Sequence, residues 1–286
     1  MQTYLAVRLL PVCLVLTAAA LAGASPEADK KDDAAALRAG KNFIATPGYT
    51  EDDDNRILAL FAGLRVTDVC DGMDSVGLQD VGLMDPAIQP LWKDAERFTH
   101  RVIGIAVTVR YVPTQRPPIG RRPIEEFDKL KGHWYSTFAP EAFAPILRKG
   151  SALVMENPLS VDVGPIGSNN SMSWRARGCV GVVANATARD TDELCNQGLP
   201  IYFRKLGRGI RPGRIDLESV NRPVVVGGVL VIPGDVIVAD GDGVIVVPRA
   251  VAEDVAAYAR KTLDGDKAGR KRLYERLGLP LDYSVK

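Results

Sequence analysis

The sequence predicts a single α/β domain built from many short strands. Three observations predict it. Arg101 to Val112 (RVIGIAVTVRYV) alternates branched residues in the manner of a strand. Ser151 to Val183 carries a strand, a helix and a strand in the order of a βαβ unit. Val224 to Val247 holds four short apolar runs separated by Gly-Gly, Pro-Gly and Gly-Asp-Gly turns.

The elements follow in order. Ser25 to about Tyr49 is a polar lead-in of Ala, Lys and Asp, and reads as a tether. Asp52 to Leu64 predicts a helix, because Ile57, Leu58, Leu60, Phe61 and Leu64 form a helical stripe behind an acidic first turn. Val66 to Val76 predicts a short helix or turn. The strand over 101–112 is followed by a Pro-, Gly- and Arg-containing loop from Pro113 to Pro123. Glu125 to Arg148 predicts weak helix in two pieces, broken near Pro140. Strands are predicted at Ser151–Met155 and Cys179–Val183, with a helix over Asn170–Arg177 between them. Shorter strands are predicted at Pro200–Phe203, Val224–Val226, Val229–Ile232, Asp235–Asp240 and Val244–Val247. Ala250 to Leu263 predicts a C-terminal helix, followed by a basic helical tail to about Leu277. The organisation expected is therefore a leader over 1–24, a lead-in over 25–50, the α/β domain over 51–265 and a basic tail over 266–286.

The leader has the order of a secretory signal. Arg8 is the only charge before Glu27, Leu9 to Leu21 is almost wholly apolar, and Ala22-Gly23-Ala24 follows as a small-x-small site. The apolar run is short for a membrane span, so cleavage near Ser25 and an exported chain without a stable span are expected. An uncleaved anchor is the alternative. Cys13 goes with the leader, which leaves Cys70, Cys179 and Cys195 without C-x-x-C spacing. They read as buried or half-buried thiols, two of which could pair in an oxidising compartment.

Composition narrows the chemistry. The 286 residues are 46% hydrophobic and 25% charged, enough for a sizeable core. Removing Arg8 leaves 35 basic against 35 acidic residues, and a neutral chain is not a non-specific nucleic-acid binder. Two histidines, His100 and His133, exclude histidine-rich metal chemistry, so any metal must lean on carboxylates.

Two segments carry candidate chemistry. In Gly167 to Asp190 (GSNNSMSWRARGCVGVVANATARD) a Gly and small polar residues open a helix. Gly167, Ser168, Asn169 and Asn170 would present backbone N–H groups to a carboxylate or phosphate. The following strand delivers Arg189 and Asp190 near its C-terminal end, where α/β proteins place ligands. Arg189 would clamp a carboxylate and Asp190 could hold a hard divalent cation. The simpler reading of the same residues is a Gly-rich turn with a surface Arg-Asp pair. In Gly234 to Pro248 the Asp-Gly pattern signals a hairpin, and its carboxylates most simply serve the turns.

Three blocks in order resemble the RraA-like family, which includes the regulator of ribonuclease activity A and the 4-hydroxy-4-methyl-2-oxoglutarate aldolases. They are Thr67–Gly72 with Gly104–Val109, then Gly167–Asp190, then Gly227–Asp235 continuing to Pro248. The resemblance spans roughly residues 52–262. It implies a compact layered α/β/β/α domain with mixed short-strand sheets, assembled as a trimer or hexamer. It also implies a lyase that takes 2-oxo acids, such as 4-hydroxy-4-methyl-2-oxoglutarate or oxaloacetate, and releases pyruvate with the aid of Mg²⁺ or Mn²⁺. Carried over, Gly167, Ser168, Asn169 and Asn170 hold the substrate carboxylate, Arg189 binds substrate in a catalytic role, and Asp190 is the metal ligand. Two departures stand out. Ser168 replaces the family's acidic residue, and Ala184-Asn185-Ala186-Thr187-Ala188 replaces the usual Asp-Gly before the Arg-Asp pair. Glu156 and Asp162 are candidates for the missing carboxylate. The alternatives are a non-enzymatic regulator and an exported relative with altered hydroxy-acid chemistry.

Overall fold

A computed structural model describes residues 34–286. The leader expected over 1–24, Cys13 and the start of the lead-in lie outside the described residues. Residues 34–39 form a short helix, α1, closed at Gly40 with φ +93°. The remainder, Thr46–Lys286, is a separate compact unit. Among the described residues no helix is long and apolar enough to cross a membrane.

The compact unit opens with two helices, α2 (Glu51–Phe61) and α3 (Val66–Ser75). Thr50 starts α2 through a capping box: its hydroxyl accepts from the Asp53 N–H at 3.1 Å and Asp53 accepts from the Thr50 N–H at 3.0 Å. Gly63, at φ +77°, turns the chain before α3. The strands are β1 (Gln89–Pro90), β2 (Val102–Pro113), β3 (Ser151–Glu156), β4 (Cys179–Ala188), β5 (Ile201–Leu206), β6 (Ile215–Val220), β7 (Val224–Val226), β8 (Val229–Val231), β9 (Val236–Asp240) and β10 (Gly243–Val247). Between them lie α4 (Ile124–His133), α5 (Ser168–Ala176) and α6 (Thr191–Gln197), and α7 (Ala252–Leu277) closes the chain.

One eight-stranded mixed sheet runs β1-β5-β4-β3-β2-β9-β10, with β6 also paired to β2. The run β2-β3-β4-β5 is parallel, and β9, β6 and β1 join it antiparallel. Strand β2 is long enough to pair with β9 through Val102–Ile105 and with β6 from Val109 onward. A second sheet is the β7–β8 hairpin. Alternation sorts the side chains between faces. Leu153 and Met155 join Trp134, Phe143 and Trp174 on one face, while Ala152 and Val154 face Val224, Val226 and Val231 on the other. A third core packs α2, α3 and α7 on β9 and β10 through Phe61, Val69, Val238, Ile245 and Val255.

The structure differs from the sequence expectation at several points. The helix and basic tail expected after Ala250 are one 26-residue helix, α7, capped by Gly278 at φ +68°; Gly265 and Gly269 sit within it without a break. The second piece of the 125–148 region is a π-helical turn over Trp134–Phe138 and a 3₁₀ turn over Ala144–Ile146. Strand β4 extends five residues past Val183, where Thr187 and Ala188 still pair with Lys205 and Leu206 of β5. Strand β6 and helix α6 had no sequence counterpart: both are short and carry weak periodicity. Among the thiols, Cys179 is buried and Cys70 half-buried, but Cys195 is exposed on α6, and all three are free.

Candidate functional site

The parallel strands end together at one edge of the domain, where the loops after β3, β4 and β5 meet. The segment 163–167 is pinned beside the end of β4 by a bridge between Ile166 and Ala188 and by the Arg189 N–H to Ile166 O bond at 2.9 Å. Gly167 then caps α5. Asp190 follows in the left-handed region, at φ +57°, and turns the chain from β4 into α6. Aspartate tolerates this conformation better than most residues, though it still costs about 1–2 kcal/mol.

That turn sets the central contact. Asp190 Oδ2 accepts from the Ser168 N–H at 3.0 Å and from the Ser168 hydroxyl at 3.1 Å. The carboxylate therefore sits on the positive end of α5. A Cβ at Gly167 would lie 3.0 Å from the same oxygen, and a Cβ at Gly164 would lie 2.9 Å from Arg189 Cβ, so glycine at both positions admits the pair. Arg189 Nε lies 3.9 Å from Asp190 Oδ1, and the Nε atom is buried without a hydrogen-bond acceptor.

A pocket of about 280 Å³ opens here, close to the lower end of the ~300–1,000 Å³ usual for small-ligand sites. Of the residues singled out in the sequence, Gly167, Asn169, Asn170, Arg189 and Asp190 line it. Ser168 stands beside the pocket and spends its N–H and hydroxyl on Asp190. The N–H groups of Asn169 and Asn170 lie in the first turn of α5 and have no partner within the helix.

Sequence reasoning missed Tyr135, Glu141 and Arg211, which complete the wall. Arg211 is 2% exposed; it donates to Glu141 Oε1 at 2.6 Å, to Pro165 O at 3.0 Å and to Ala139 O at 3.2 Å. Glu141 Oε1 also accepts from Asn170 Nδ2 at 2.6 Å, and Oε2 accepts from Trp174 Nε1 at 2.8 Å. Glu141 thus joins α5, the Arg211 loop and the end of the π-helical segment. Tyr111 supports this turn by donating to Pro140 O at 2.8 Å. Burial pushes its phenol up to about 12, so it remains a donor. Nothing in the local sequence marked Glu141 or Arg211, since their partners lie 29 to 72 residues away.

The two other carboxylates considered lie outside the pocket. Glu156 pairs with Arg110 at 3.1 Å and accepts from the Val225 N–H at 2.9 Å. Asp162 accepts from the Arg208 N–H at 2.7 Å, and its bonds to the Arg208 backbone and side chain hold it below the usual carboxylate range. His133 is on the exposed end of α4 against Phe138 and is not part of the wall. The carboxylates of the 234–248 segment serve turns: Asp235 accepts from the N–H groups of Ile232 and Arg249, and Asp240 from those of Val66 and Asp242.

A mixed α/β domain with a pocket at the ends of its parallel strands, lined by Arg189, Arg211, Glu141 and Asp190, defines the class. The chain belongs to the RraA-like family, whose Aldolase/RraA model matches residues 66–246. It is 23% identical over 219 residues to Protein DlpA of Legionella pneumophila, covering 75% of this chain and 32% of that protein. It is 33% identical over 97 residues to a Halalkalibacterium halodurans protein provisionally named 4-hydroxy-4-methyl-2-oxoglutarate aldolase, covering 34% of this chain and 45% of the relative. The chain thus spans less than half the length of either curated relative. Its fold is shared with Streptomyces coelicolor RraAS2, described as an unusual member of the RNase ES inhibitor RraA family. That match has a TM-score of 0.61 and 21% identity over 77% of this chain and 98% of the other.

Proposed function

We propose that the chain is a divalent-cation-assisted carbon–carbon lyase that acts on 2-oxo acids such as 4-hydroxy-4-methyl-2-oxoglutarate or oxaloacetate and releases pyruvate. The observation that carries this reading is the Arg189 guanidinium, with a buried donor unspent, beside Asp190 and the open first turn of α5. Arg189 and the N–H groups of Asn169 and Asn170 would hold the carboxylate of the 2-oxo acid.

Among the described residues no cluster of three or more His, Cys, Asp or Glu could hold a metal. The donor set fits the remaining case: Mg²⁺ or Mn²⁺ held by one carboxylate, by substrate oxygens and by waters. Asp190 Oδ1, which makes no hydrogen bond, is the atom that would hold it. A bound cation supplies Lewis acidity at the substrate carbonyl. In the aldol cleavage the C4 hydroxyl loses its proton to water, C4 becomes a carbonyl and leaves as a second oxo compound, and the C3–C4 bond breaks. Its electron pair enters the C2 oxo group as an enolate, and C3 is then protonated to give pyruvate. Arg189 faces the charge that develops there. Water is the proton carrier, since no histidine lines the pocket.

Release of pyruvate from these acids, with and without Mg²⁺ or Mn²⁺, tests the reading; no metal-dependent release from any of them sinks it. A second reading, a non-enzymatic regulator, draws on one observation: Asp190 already occupies the Ser168 N–H that a ligand carboxylate would use. It gains if the chain binds neither cation nor 2-oxo acid. We further infer an exported protein that assembles as a homotrimer or hexamer. N-terminal sequencing of the native chain and light scattering on the purified one test these points.

A further inference from the structure

We propose that the cleft between α7 and the 97–103 segment binds an organic polyanion of nucleotide size, with two or more phosphates on a flat apolar body. The cleft has a volume of about 900 Å³ and lies apart from the Arg189–Asp190 pocket, with which it shares no residue. Much of its wall comes from residues outside 66–246, the stretch that matches the family.

Its charge is one-sided. Arg65, Arg97, Arg101, Arg260, Lys267, Arg270 and Lys286 line it, and among the described residues no Asp or Glu does. Asp68 and Asp266 neutralise Arg65 from behind, at 2.9 Å and 2.8 Å. Arg270 is held only by long contacts, 3.6 Å to Asp266 and 3.4 Å to Ser284 O, and its Nε is buried without an acceptor. Arg101 Nε is likewise buried and unpartnered, and among the described residues its guanidinium forms no ion pair. The Arg97 and Lys267 side chains have no hydrogen-bond or ion-pair partner among the described residues. Arg260 bonds only carbonyls, those of Leu60 and Ala62. Like charges gathered in a concave wall repel one another and raise the local concentration of anions. A phosphate pair relieves that repulsion and gives the guanidinium forks their acceptors.

The apolar part of the ligand is argued from the floor and one strained turn. Leu64, Ile103 and Leu263 supply aliphatic surface, and Tyr283 is 59% exposed beside them. Phe98 sits at φ +57°, a left-handed conformation that a bulky side chain adopts only under constraint. The turn is closed by the Arg101 N–H to Phe98 O bond at 3.0 Å. It stacks the Arg101 guanidinium over the Phe98 ring at 4.3 Å, with the Tyr283 ring edge-on at 5.7 Å. An aromatic pair next to unsaturated arginines suits a base or another flat ring that carries phosphates.

Calorimetric titration of the purified chain with ADP and with inorganic pyrophosphate, in the absence of divalent cations, tests the proposal. ADP should bind, more tightly than pyrophosphate, and added salt should weaken both. Arg101→Gln should weaken ADP binding ~10-fold or more, the loss expected for one charged hydrogen bond. Arg97→Gln combined with Lys267→Gln should do the same with no fall in melting temperature, because neither side chain has a protein partner to lose and the wall's self-repulsion is reduced. Arg189→Lys should leave ADP binding intact. Absence of ADP binding at millimolar concentration, or equal affinity of the double variant and the wild type, would overturn the proposal. Loss of ADP binding in Arg189→Lys would overturn it too, by moving the ligand to the other pocket. Equal affinity for ADP and pyrophosphate would overturn the assignment of an apolar body.

Discussion

Glu141→Ala should be among the most damaging single substitutions near the pocket, and its cost can be worked from the contacts. The carboxylate accepts from Arg211, Asn170 and Trp174 at 2.6, 2.6 and 2.8 Å. Truncation leaves Arg211, 2% exposed, as an uncompensated buried cation. Removing one partner of a buried ion pair costs ~3–5 kcal/mol. The Glu141 side chain is 27% exposed, so water can reach the vacated space, which favours the lower end, about 3 kcal/mol. For a domain of this size each kcal/mol moves the melting temperature by ~2–4 °C, which gives a fall of roughly 6–12 °C. Glu141→Gln keeps an oxygen for Arg211 and Asn170 but turns an amide N–H₂ toward Trp174 Nε1, so it should cost about half as much. Scanning calorimetry reads both. A double-mutant cycle with Arg211→Met should show coupling of ~0.5–3 kcal/mol. A Glu141→Ala protein that melts within roughly 2 °C of wild type, a shift worth less than 1 kcal/mol, would refute the view that this carboxylate ties the pocket wall together.

Other outcomes follow from the same geometry. Asp190→Ala should abolish metal-dependent pyruvate release while the chain stays folded, at a cost near the ~0.5–2 kcal/mol of a lost helix cap; metal titration and urea unfolding check the two parts. Arg189→Lys keeps the charge and loses the planar fork, so substrate affinity should fall roughly 10- to 150-fold, as ~1.5–3 kcal/mol implies, with cation binding retained. His100 gives a pH signature. Burial first, and then Arg101, pull its pKa below 6.5, and its Nδ1 accepts from the Asp94 N–H at 3.1 Å. The unfolded chain then takes up more protons than the native one just below pH 6.5, so stability should fall as the pH drops through that value. His100→Gln should flatten that slope in urea midpoints measured above and below pH 6.5.

What the sequence revealed depended on how local each signal was. The 167–190 block was legible because its helix start, strand and Arg-Asp pair are contiguous, and the pocket is built around them. The Asp-Gly hairpin was legible for the same reason: Asp240 and Gly243 pair directly as β9 meets β10. Glu141 and Arg211 were not legible, because a carboxylate between Pro140 and Ala142 gains its meaning only from residues far along the chain. Strand β6 (IDLESV) hid for a related reason. It is an edge strand whose side chains are mostly half-buried, so hydrophobic alternation is blurred. The seven-cation cleft was hidden by arithmetic: its charge is balanced elsewhere in a chain of net +1.

Ser168 now has a physical account. An acid at this position would place a second carboxylate within hydrogen-bond reach of Asp190 Oδ2, and two such anions repel unless a cation lies between them. Serine does the opposite. Its hydroxyl joins its backbone N–H in binding Asp190 Oδ2 at 3.1 and 3.0 Å, so the carboxylate is stable on the helix end without any cation. Under the proposed function two roles would fall on one side chain: capping α5 through Oδ2, which the structure shows, and holding an ion through Oδ1. They are compatible only if the ion takes the second oxygen and leaves the cap in place. A Ser168→Ala substitution separates them, because it removes one of the two bonds to Oδ2 and leaves Oδ1 unchanged. If Asp190 binds a cation through Oδ1 alone, Ser168→Ala should leave the cation affinity within a few-fold of wild type and lower only the stability, by the ~0.5–1.5 kcal/mol of one hydrogen bond. If instead the cation must pull Oδ2 off the helix, the variant should bind it several-fold more tightly. Isothermal titration with Mg²⁺ and Mn²⁺ decides, and tightening would refute the single-oxygen arrangement.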